Sequence, residues 1–224
     1  VSGKDDFEAY GDTEGDQAHR YGRTREFMQL VRRLWTERGV THHGEHYSVA
    51  NSTVEPRITP RGGRMHPPLY FGGASAAAER VAATEADVQL FWGEPRDGIA
   101  ERIARLKALS RDLDRNRPPL EFGLRITTFI RDTREQAWRD AEAKVAKMAQ
   151  IEGAGWHDHR RVVAEGQQRL FDLQTQGEVL DENLYTTPGK FGAGGAATTW
   201  LVGTAEDVAS SLRKYAELGI TRFI

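Results

Sequence analysis

The sequence contains no cysteine, which excludes disulfide bonds, thiolate zinc sites and a cysteine nucleophile. It also contains no apolar run near the roughly 18–20 residues that a membrane-spanning helix requires. No signal-peptide core stands at its start. From these absences we expect a cytoplasmic protein that does not interact with membranes.

Neither sign of charge is in clear excess. The chain has 31 Lys and Arg against 33 Asp and Glu, a formal net charge of −2. Attraction to nucleic-acid phosphates or anionic lipids requires a basic surplus, so we expect no nucleic-acid partner. At 224 residues with 38% hydrophobic residues and 23 glycines, the chain is long enough to bury a substantial core.

Short apolar runs alternate with helical patterns along most of the chain. Strands are predicted at 68–71, 88–92 and 122–130 and from 220 onward, each of the first three followed by an amphipathic helix. This order is typical of right-handed parallel βαβ units in an α/β fold. Four strands cannot close a barrel, so the pattern predicts an open sheet or half of a (β/α)₈ barrel.

The remaining segments carry weaker signals. Residues 1–20 are predicted to be loop, a helix is predicted from about 23 to 35, and a hairpin at 41–49. The segment 151–199 interrupts the strand–helix order, because it is glycine-rich and has no clear period. A final helix is predicted to begin at a capping box of Thr204 and Asp207.

The turn Gly72-Gly73-Ala74-Ser75 lies between a predicted strand and a predicted helix. Backbone N–H groups at the positive end of a helix, together with a serine hydroxyl, would hold a phosphate. The turn is neither a Walker A loop nor the dinucleotide fingerprint. A tight turn with a serine N-cap explains the same residues without a ligand, and both interpretations stay open.

Two side chains on predicted strands are candidates for chemistry. Alternation places Arg125 on one strand face with Gly123 and Thr127, and a buried guanidinium there needs a partner. That partner is either an anionic substrate or an internal carboxylate. Trp92 ends its strand, where it either flanks a flat ring or packs in the core.

The histidines favour no metal site. His42, His43 and His46 lie on the hairpin, where neighbouring side chains point to opposite faces, and His157 and His159 lie among charged residues. No carboxylate stands at a metal-motif spacing from them. We therefore expect no metal.

Several blocks, in this order and spacing, resemble the bacterial luciferase-like flavin monooxygenases, specifically the alkanesulfonate monooxygenase branch. The resemblance implies a (β/α)₈ TIM barrel with an insertion, and reduced FMN (FMNH₂) supplied by a separate NAD(P)H-dependent flavin reductase. It also implies O₂ as co-substrate, a flavin peroxide, and oxidation of a sulfonate to sulfite and an aldehyde. The blocks are Pro68-Leu69-Tyr70-Phe71-Gly72-Gly73-Ala74-Ser75, Leu90-Phe91-Trp92-Gly93-Glu94-Pro95, Phe122-Gly123-Leu124-Arg125-Ile126 with Arg131-Asp132-Thr133, and Leu201-Val202-Gly203-Thr204 through Ala216-Glu217-Leu218-Gly219-Ile220.

Mapped onto that family, Val1 falls at the end of the fourth barrel strand and Ile224 at the start of the eighth. The resemblance therefore implies a partial barrel, about strands 5 to 8, as a single domain over 1–224. The segment 151–199 would be the insertion, a lid that is mobile without substrate. A homo-oligomer, dimer or tetramer, is expected.

The resemblance also implies cofactor-binding residues. The phosphate-site serine of the family falls on Ser75, beside Gly73 and Ala74. A flavin-contacting tyrosine falls on Tyr21. The family has histidine four residues earlier, where this chain has Gln17, a neutral donor to phosphate.

The implied catalytic residues are Trp92, which matches an active-site tryptophan, and Arg125, which matches an arginine used toward the sulfonate and the peroxide. Two partners of that arginine are missing. A histidine of the family is Thr127 here, and a loop arginine falls near Ala193 or Gly194.

These departures weaken the case for a small alkanesulfonate and leave other substrates open, such as a sulfone, an amine acid or a heteroaromatic. Two further functions also stay open. One is a deazaflavin-dependent oxidoreductase of the same superfamily, which transfers hydride without O₂. The other is a non-catalytic fragment with the flavin-binding fold.

Overall fold

The computed structural model describes residues 16–152, 165–191 and 198–224. Helices and strands alternate along most of these ranges, as the sequence predicts. The elements are α1 (Gln17–Thr36), β1 (Val40–His43), β2 (Ser48–Ser52), β3 (Tyr70–Gly72), α2 (Ala76–Glu85), β4 (Val88–Trp92), α3 (Arg96–Asp112), β5 (Glu121–Arg125), β6 (Thr127–Ile130), α4 (Arg134–Glu152), α5 (Glu165–Gln176), β7 (Val179–Leu180), β8 (Leu184–Tyr185), a 3₁₀ helix (Thr187–Phe191), β9 (Trp200–Gly203), α6 (Ala205–Glu217) and β10 (Ile220–Phe223).

One sheet of the described residues has four strands in the order β10-β5-β4-β3. The first residues of β3 to β5 lie side by side, because Val88 N–H donates to Leu69 O at 3.2 Å and Glu121 N–H donates to Asp87 O at 3.0 Å. β10 pairs with β5 in parallel. The strands follow one another in chain order, as expected for consecutive strands of a barrel.

A second sheet has the order β6-β9-β8-β7, and it corrects the prediction of one strand over 122–130. The chain changes partners at Ile126, whose N–H donates to Ile224 O at 3.0 Å, whereas the residues of β6 pair with β9. Arg125 and Thr127 therefore belong to different strands. The alternation that placed them on one face of a single strand does not apply.

Helix starts show where capping was recognised and where it was missed. The predicted capping box of Thr204 and Asp207 is confirmed, with both hydrogen bonds present. The prediction of loop over 1–20 is wrong for its last residues, because α1 begins at Gln17. The side chain of Asp16 accepts the N–H of His19 at 2.7 Å and caps the helix there.

The segment 151–199 contains helices and strands that its sequence pattern does not reveal, in the part that the structure describes. Residues 165–191 form α5, β7, β8 and the 3₁₀ helix, and Leu170, Leu184 and Tyr185 are buried. Residues 153–164 and 192–197, including Ala193 and Gly194, lie outside the described residues. The lid itself stays a prediction.

The chain divides into two compact units. The first combines Leu90–Arg105 with the described part of Phe122–Ile224. Phe91 stacks on Phe122 within it, and Trp200 stacks on Phe129 at 5.6 Å between ring centroids.

The second unit combines the described part of Gly11–Gln89 with Leu106–Glu121. Its core includes Met28, Val40 and Ala82. Buried Glu85 at the end of α2 accepts a hydrogen bond from Gln29 of α1, which links the two helices, and another from Arg117. The expectation of a single domain stays a prediction.

Candidate active site

The turn between β3 and α2 is built tightly around Ser75. This serine is the N-cap of α2, only 4% exposed, and its Oγ accepts the N–H of Ala78 at 3.2 Å. Gly73 approaches the same helix so closely that an added Cβ would lie 2.6 Å from the Cβ of Ala78. Only glycine fits at position 73 without a shift of the helix. The serine N-cap that the sequence predicts is present.

Polar groups from two other elements reach this turn. The hydroxyl of Ser75 donates to the hydroxyl of Tyr21 at 3.4 Å. The ring of Tyr21 packs edge-on against the ring of Phe71, with 6.4 Å between the ring centroids. Gln89, fully buried on β4, donates from Nε2 to Gly73 O at 3.1 Å. The structure therefore brings together three of the predicted cofactor-binding residues, Tyr21, Gly73 and Ser75.

The turn fits an anion in its donor chemistry. The first N–H groups of a helix have no acceptor within the helix, and the N-terminus carries a partial positive charge. The hydroxyls of Ser75 and Tyr21 add two groups that can rotate to donate. These are the donors that a phosphate ester uses at a helix N-terminus.

Gln17 and Ala74 are placed less closely by the structure. Gln17 is the exposed first residue of α1, and among the described residues it makes no hydrogen bond to Tyr21 or Ser75. Ala74 is half-buried in the turn and offers only its backbone. Both stay predictions as phosphate-binding residues.

Trp92 and Arg125 each occupy the last position of a strand, β4 and β5, which are neighbours in the sheet. Both side chains are half-buried. Gly166 on α5 lies so near the indole of Trp92 that an added Cβ would be 3.2 Å from Cζ3. The carboxyl ends of these two strands therefore present the aromatic ring of Trp92 and the guanidinium of Arg125.

The residues after Trp92 are held in place by a hydrogen-bond network. The carboxylate of Glu94 pairs with Arg102 at 2.6 Å and with Arg169 of α5. The backbone oxygen of Glu94 accepts the hydroxyl of Tyr215 at 2.7 Å. Glu94 thus links three elements directly beside Trp92.

Gly93 is confined in the same way. Its oxygen accepts the hydroxyl of Thr199 at 2.6 Å, and an added Cβ would lie 2.2 Å from that hydroxyl. Glu94 stands in the Trp-Gly-Glu-Pro block, but the sequence alone gives it no role. A glutamate directly after an apolar strand was the available signal, because a buried carboxylate must be paired.

Among the described residues, no helix is both long and apolar enough to cross a membrane.

A model of the family described as "Luciferase-like monooxygenase" matches residues 2–222. Solved structures with a similar fold include a riboflavin lyase with modified FMN and riboflavin, at 18% identity and a TM-score of 0.66, covering 97% of this chain and 55% of that one. An EDTA monooxygenase from Chelativorans sp. BNC1 has 14% identity and a TM-score of 0.67, with 96% and 56% covered.

An F420-dependent secondary alcohol dehydrogenase is also similar, at 14% identity and a TM-score of 0.59, with 94% and 57% covered. The chain therefore spans little more than half the length of these structures. Its fold is the α/β fold that they share, present as part of a TIM barrel.

Proposed function

Because the chain belongs to the luciferase-like monooxygenase family, we propose that it contributes to a two-component monooxygenase that uses FMNH₂ and O₂. The observation that carries the proposal is the turn at Gly73–Ser75, where the N-terminus of α2 and the hydroxyls of Ser75 and Tyr21 lie together. When bound, the reduced flavin supplies the electrons that activate O₂. The side chains of the protein bind and orient the flavin and the substrate.

The phosphate of FMN is proposed to lie at the turn. The hydroxyl of Tyr21 and the first N–H groups of α2 donate to it, and Ser75 shares its hydroxyl between the helix cap and the phosphate. Gln89 positions the turn by holding the oxygen of Gly73, so the N–H groups keep their direction without ligand. Preorganised donors bind an anion more tightly than mobile ones, because less entropy is lost.

Arg125 is proposed to bind the anionic group of the substrate and to stabilise negative charge that develops during oxidation. Its half-buried position strengthens that interaction relative to bulk water. Trp92 is proposed to pack against the flat face of the substrate or flavin, and Glu94 holds the backbone that follows it.

The substrate is proposed to be a small organic molecule with an anionic or strongly polar head group, an organosulfur compound or alkanesulfonate being one member of the class. Thr127 is uncharged, so Arg125 is not assisted from that position. A sulfone, an amine acid or a heteroaromatic needs fewer cations and suits the same chemistry. The proposed partners are a flavin reductase that delivers FMNH₂ and further copies of the chain.

The decisive experiment measures FMN and riboflavin affinity by calorimetry in Ser75→Ala and in Thr204→Ala. Both variants remove a helix N-cap, but only Ser75 lies at the proposed phosphate site. We expect Ser75→Ala to weaken FMN binding by about 1–2 kcal/mol and to leave riboflavin binding unchanged. Thr204→Ala should lose stability only.

Equal FMN affinity in Ser75→Ala and the parent would reject this placement of the phosphate. Coenzyme F420 serves as the competing cofactor. Tight F420 binding with O₂-independent hydride transfer would assign the protein to the deazaflavin-dependent oxidoreductases instead. Absence of binding to either cofactor would support the non-catalytic alternative.

A further inference from the structure

Two histidines and a glutamate gather where the first turn of α1 meets the β1–β2 turn. One ligand atom from each of His19, Glu45 and His46 lies within 4.8 Å of the others. The two imidazole rings meet edge to face, with centroids 4.8 Å apart at 84°. His46 Nε2 is 3.9 Å from Glu45 Oε2, a distance beyond hydrogen bonding.

The backbones that carry the two imidazoles are each fixed by a carboxylate. His19 N–H donates to Asp16 Oδ1 at 2.7 Å, which is the N-cap of α1. His46 N–H donates to Glu26 Oε2 at 3.0 Å, and the neighbouring Tyr47 N–H donates to Glu26 Oε1 at 2.9 Å. The β1–β2 turn is therefore anchored to α1, and the rings approach each other from anchored positions.

His46 is enclosed although its neighbours in the cluster are exposed. Its side chain is 7% exposed, whereas that of Glu45 is 81% exposed. An added Cβ on Gly22 would lie 3.3 Å from His46 Nε2, so this nitrogen faces the backbone of α1. The Nε2 atom of the nearly buried His46 side chain is thus directed toward Gly22 of α1, close to His19.

The other hairpin histidines are already engaged. His42 Nε2 lies 2.9 Å from Glu26 Oε1, and His43 Nδ1 lies 2.9 Å from Ser48 Oγ. Among the described residues, the ring of His46 has its polar contact with Glu45 alone, at the long distance above. On the hairpin, His42 and His43 therefore make structural hydrogen bonds, whereas the ring of His46 is available as a ligand.

We propose that His19, Glu45 and His46 form a binding site for a divalent transition metal, best suited to Zn²⁺. Two imidazoles and one carboxylate are a common zinc donor set, and water completes the tetrahedron. Zinc–nitrogen bonds of about 2.0–2.1 Å require ligand atoms about 3.4 Å apart. The exposed side chains of Glu45 and His19 rotate inward to reach that spacing, while His46 stays in place.

Bound there, the metal connects the first turn of α1 to the hairpin. Tyr21 follows His19 by two residues, so the metal would stabilise the helical turn that presents its hydroxyl. The proposal differs from the expectation of no metal, which rested on the spacing of the histidines along the sequence. No short sequence motif relates these ligands, because His19 and Glu45 are more than twenty positions apart in the sequence. The inference does not depend on the proposed flavin chemistry.

The test is calorimetric titration of the metal-free protein with ZnCl₂, together with melting temperatures. Variants His19→Gln, Glu45→Gln and His46→Gln remove one ligand each, and His43→Gln on the same hairpin is the matched control. We expect one site of micromolar affinity in the parent and in His43→Gln. Each ligand variant should weaken it tenfold or more, and Zn²⁺ should raise the melting temperature only where the site is intact.

Glu45→Gln keeps the test valid if a histidine variant misfolds, because this side chain is exposed. Parent-like zinc affinity in Glu45→Gln or in a folded His46→Gln would overturn the site. So would the absence of a one-to-one site in the parent. Equal weakening in His43→Gln would overturn the assignment of the ligands.

Discussion

Arg125 ends β5 half-buried, and its chemistry can be separated from its contribution to stability. We expect Arg125→Ala to lower turnover far more than FMN affinity, because a fixed cation acts on the charge that develops during oxidation. Arg125→Lys should restore only part of the turnover, since the planar guanidinium fork is lost. Single-turnover flavin oxidation and melting temperature are measured together.

The competing explanation is an internal ion pair with a carboxylate. In that case Arg125→Ala loses stability but oxidises flavin normally per folded molecule. That combination would remove Arg125 from the catalytic residues and would leave the phosphate site untouched.

Glu94 lies two residues after Trp92 and anchors the backbone there through its contacts with neighbouring helices. Glu94 is 4% exposed, and its carboxylate pairs with Arg102, which is 3% exposed. Glu94→Ala leaves a buried guanidinium without this partner, and we expect a loss of about 3–5 kcal/mol in urea unfolding. Glu101→Ala is the control, because its pair with Arg105 is exposed and should cost below about 1 kcal/mol. Equal losses in both variants would contradict the role of Glu94.

Helix α5 contacts the indole of Trp92 through Gly166, and glycine-to-alanine changes test this contact. Alanine favours helix by up to about 1 kcal/mol over glycine. Gly98→Ala on α3 meets Glu94 only at an ordinary 3.8 Å and should gain stability. Gly166→Ala places a methyl group 3.2 Å from the indole, so it should gain less and should alter the near-ultraviolet circular dichroism. An equal gain with an unchanged spectrum would show that α5 does not confine Trp92.

The elements that the sequence predicts best are those with local signals. The capping box at Thr204 and the β1–β2 hairpin are confirmed because a few adjacent residues determine them. The break at Ile126 is not visible in a run of strand-forming residues, since it depends on which distant strand pairs with each half. Helix α5 was missed because the glycines and polar residues around it conceal its period.

The candidate site divides in the same way. The N-cap at Ser75 follows from its position before a helix, whereas the contact with Tyr21 joins residues 54 positions apart. The buried Gln89 behind Gly73 and the network at Glu94 depend on packing between elements, which the sequence does not show. The resemblance supplied Tyr21, because spacing alone does not relate it to the turn.

Across the whole molecule, each compact unit contains a carboxylate with a strongly lowered pKa. In one unit, burial raises the pKa of Glu26, but hydrogen bonds from His42 and from the N–H groups of His46 and Tyr47 outweigh burial and lower it from 4.5 to about 2. In the other unit, hydrogen bonds from Arg134 and from the N–H of Thr204 hold the pKa of Asp207 well below its usual range.

Both carboxylates therefore bind protons more readily in the unfolded chain than in the folded one. Their contribution to stability is complete above the unfolded pKa values and is lost as the pH falls through the folded ones. We expect the denaturant midpoint to fall steadily from pH 5 to pH 2. The double variant Glu26→Gln/Asp207→Asn should be less stable than the parent at pH 5. Its denaturant midpoint should also depend less steeply on pH. The control is Glu101→Gln/Glu217→Gln, which changes two exposed glutamates. If Glu26→Gln/Asp207→Asn retained the pH dependence of the parent, other carboxylates would govern acid unfolding.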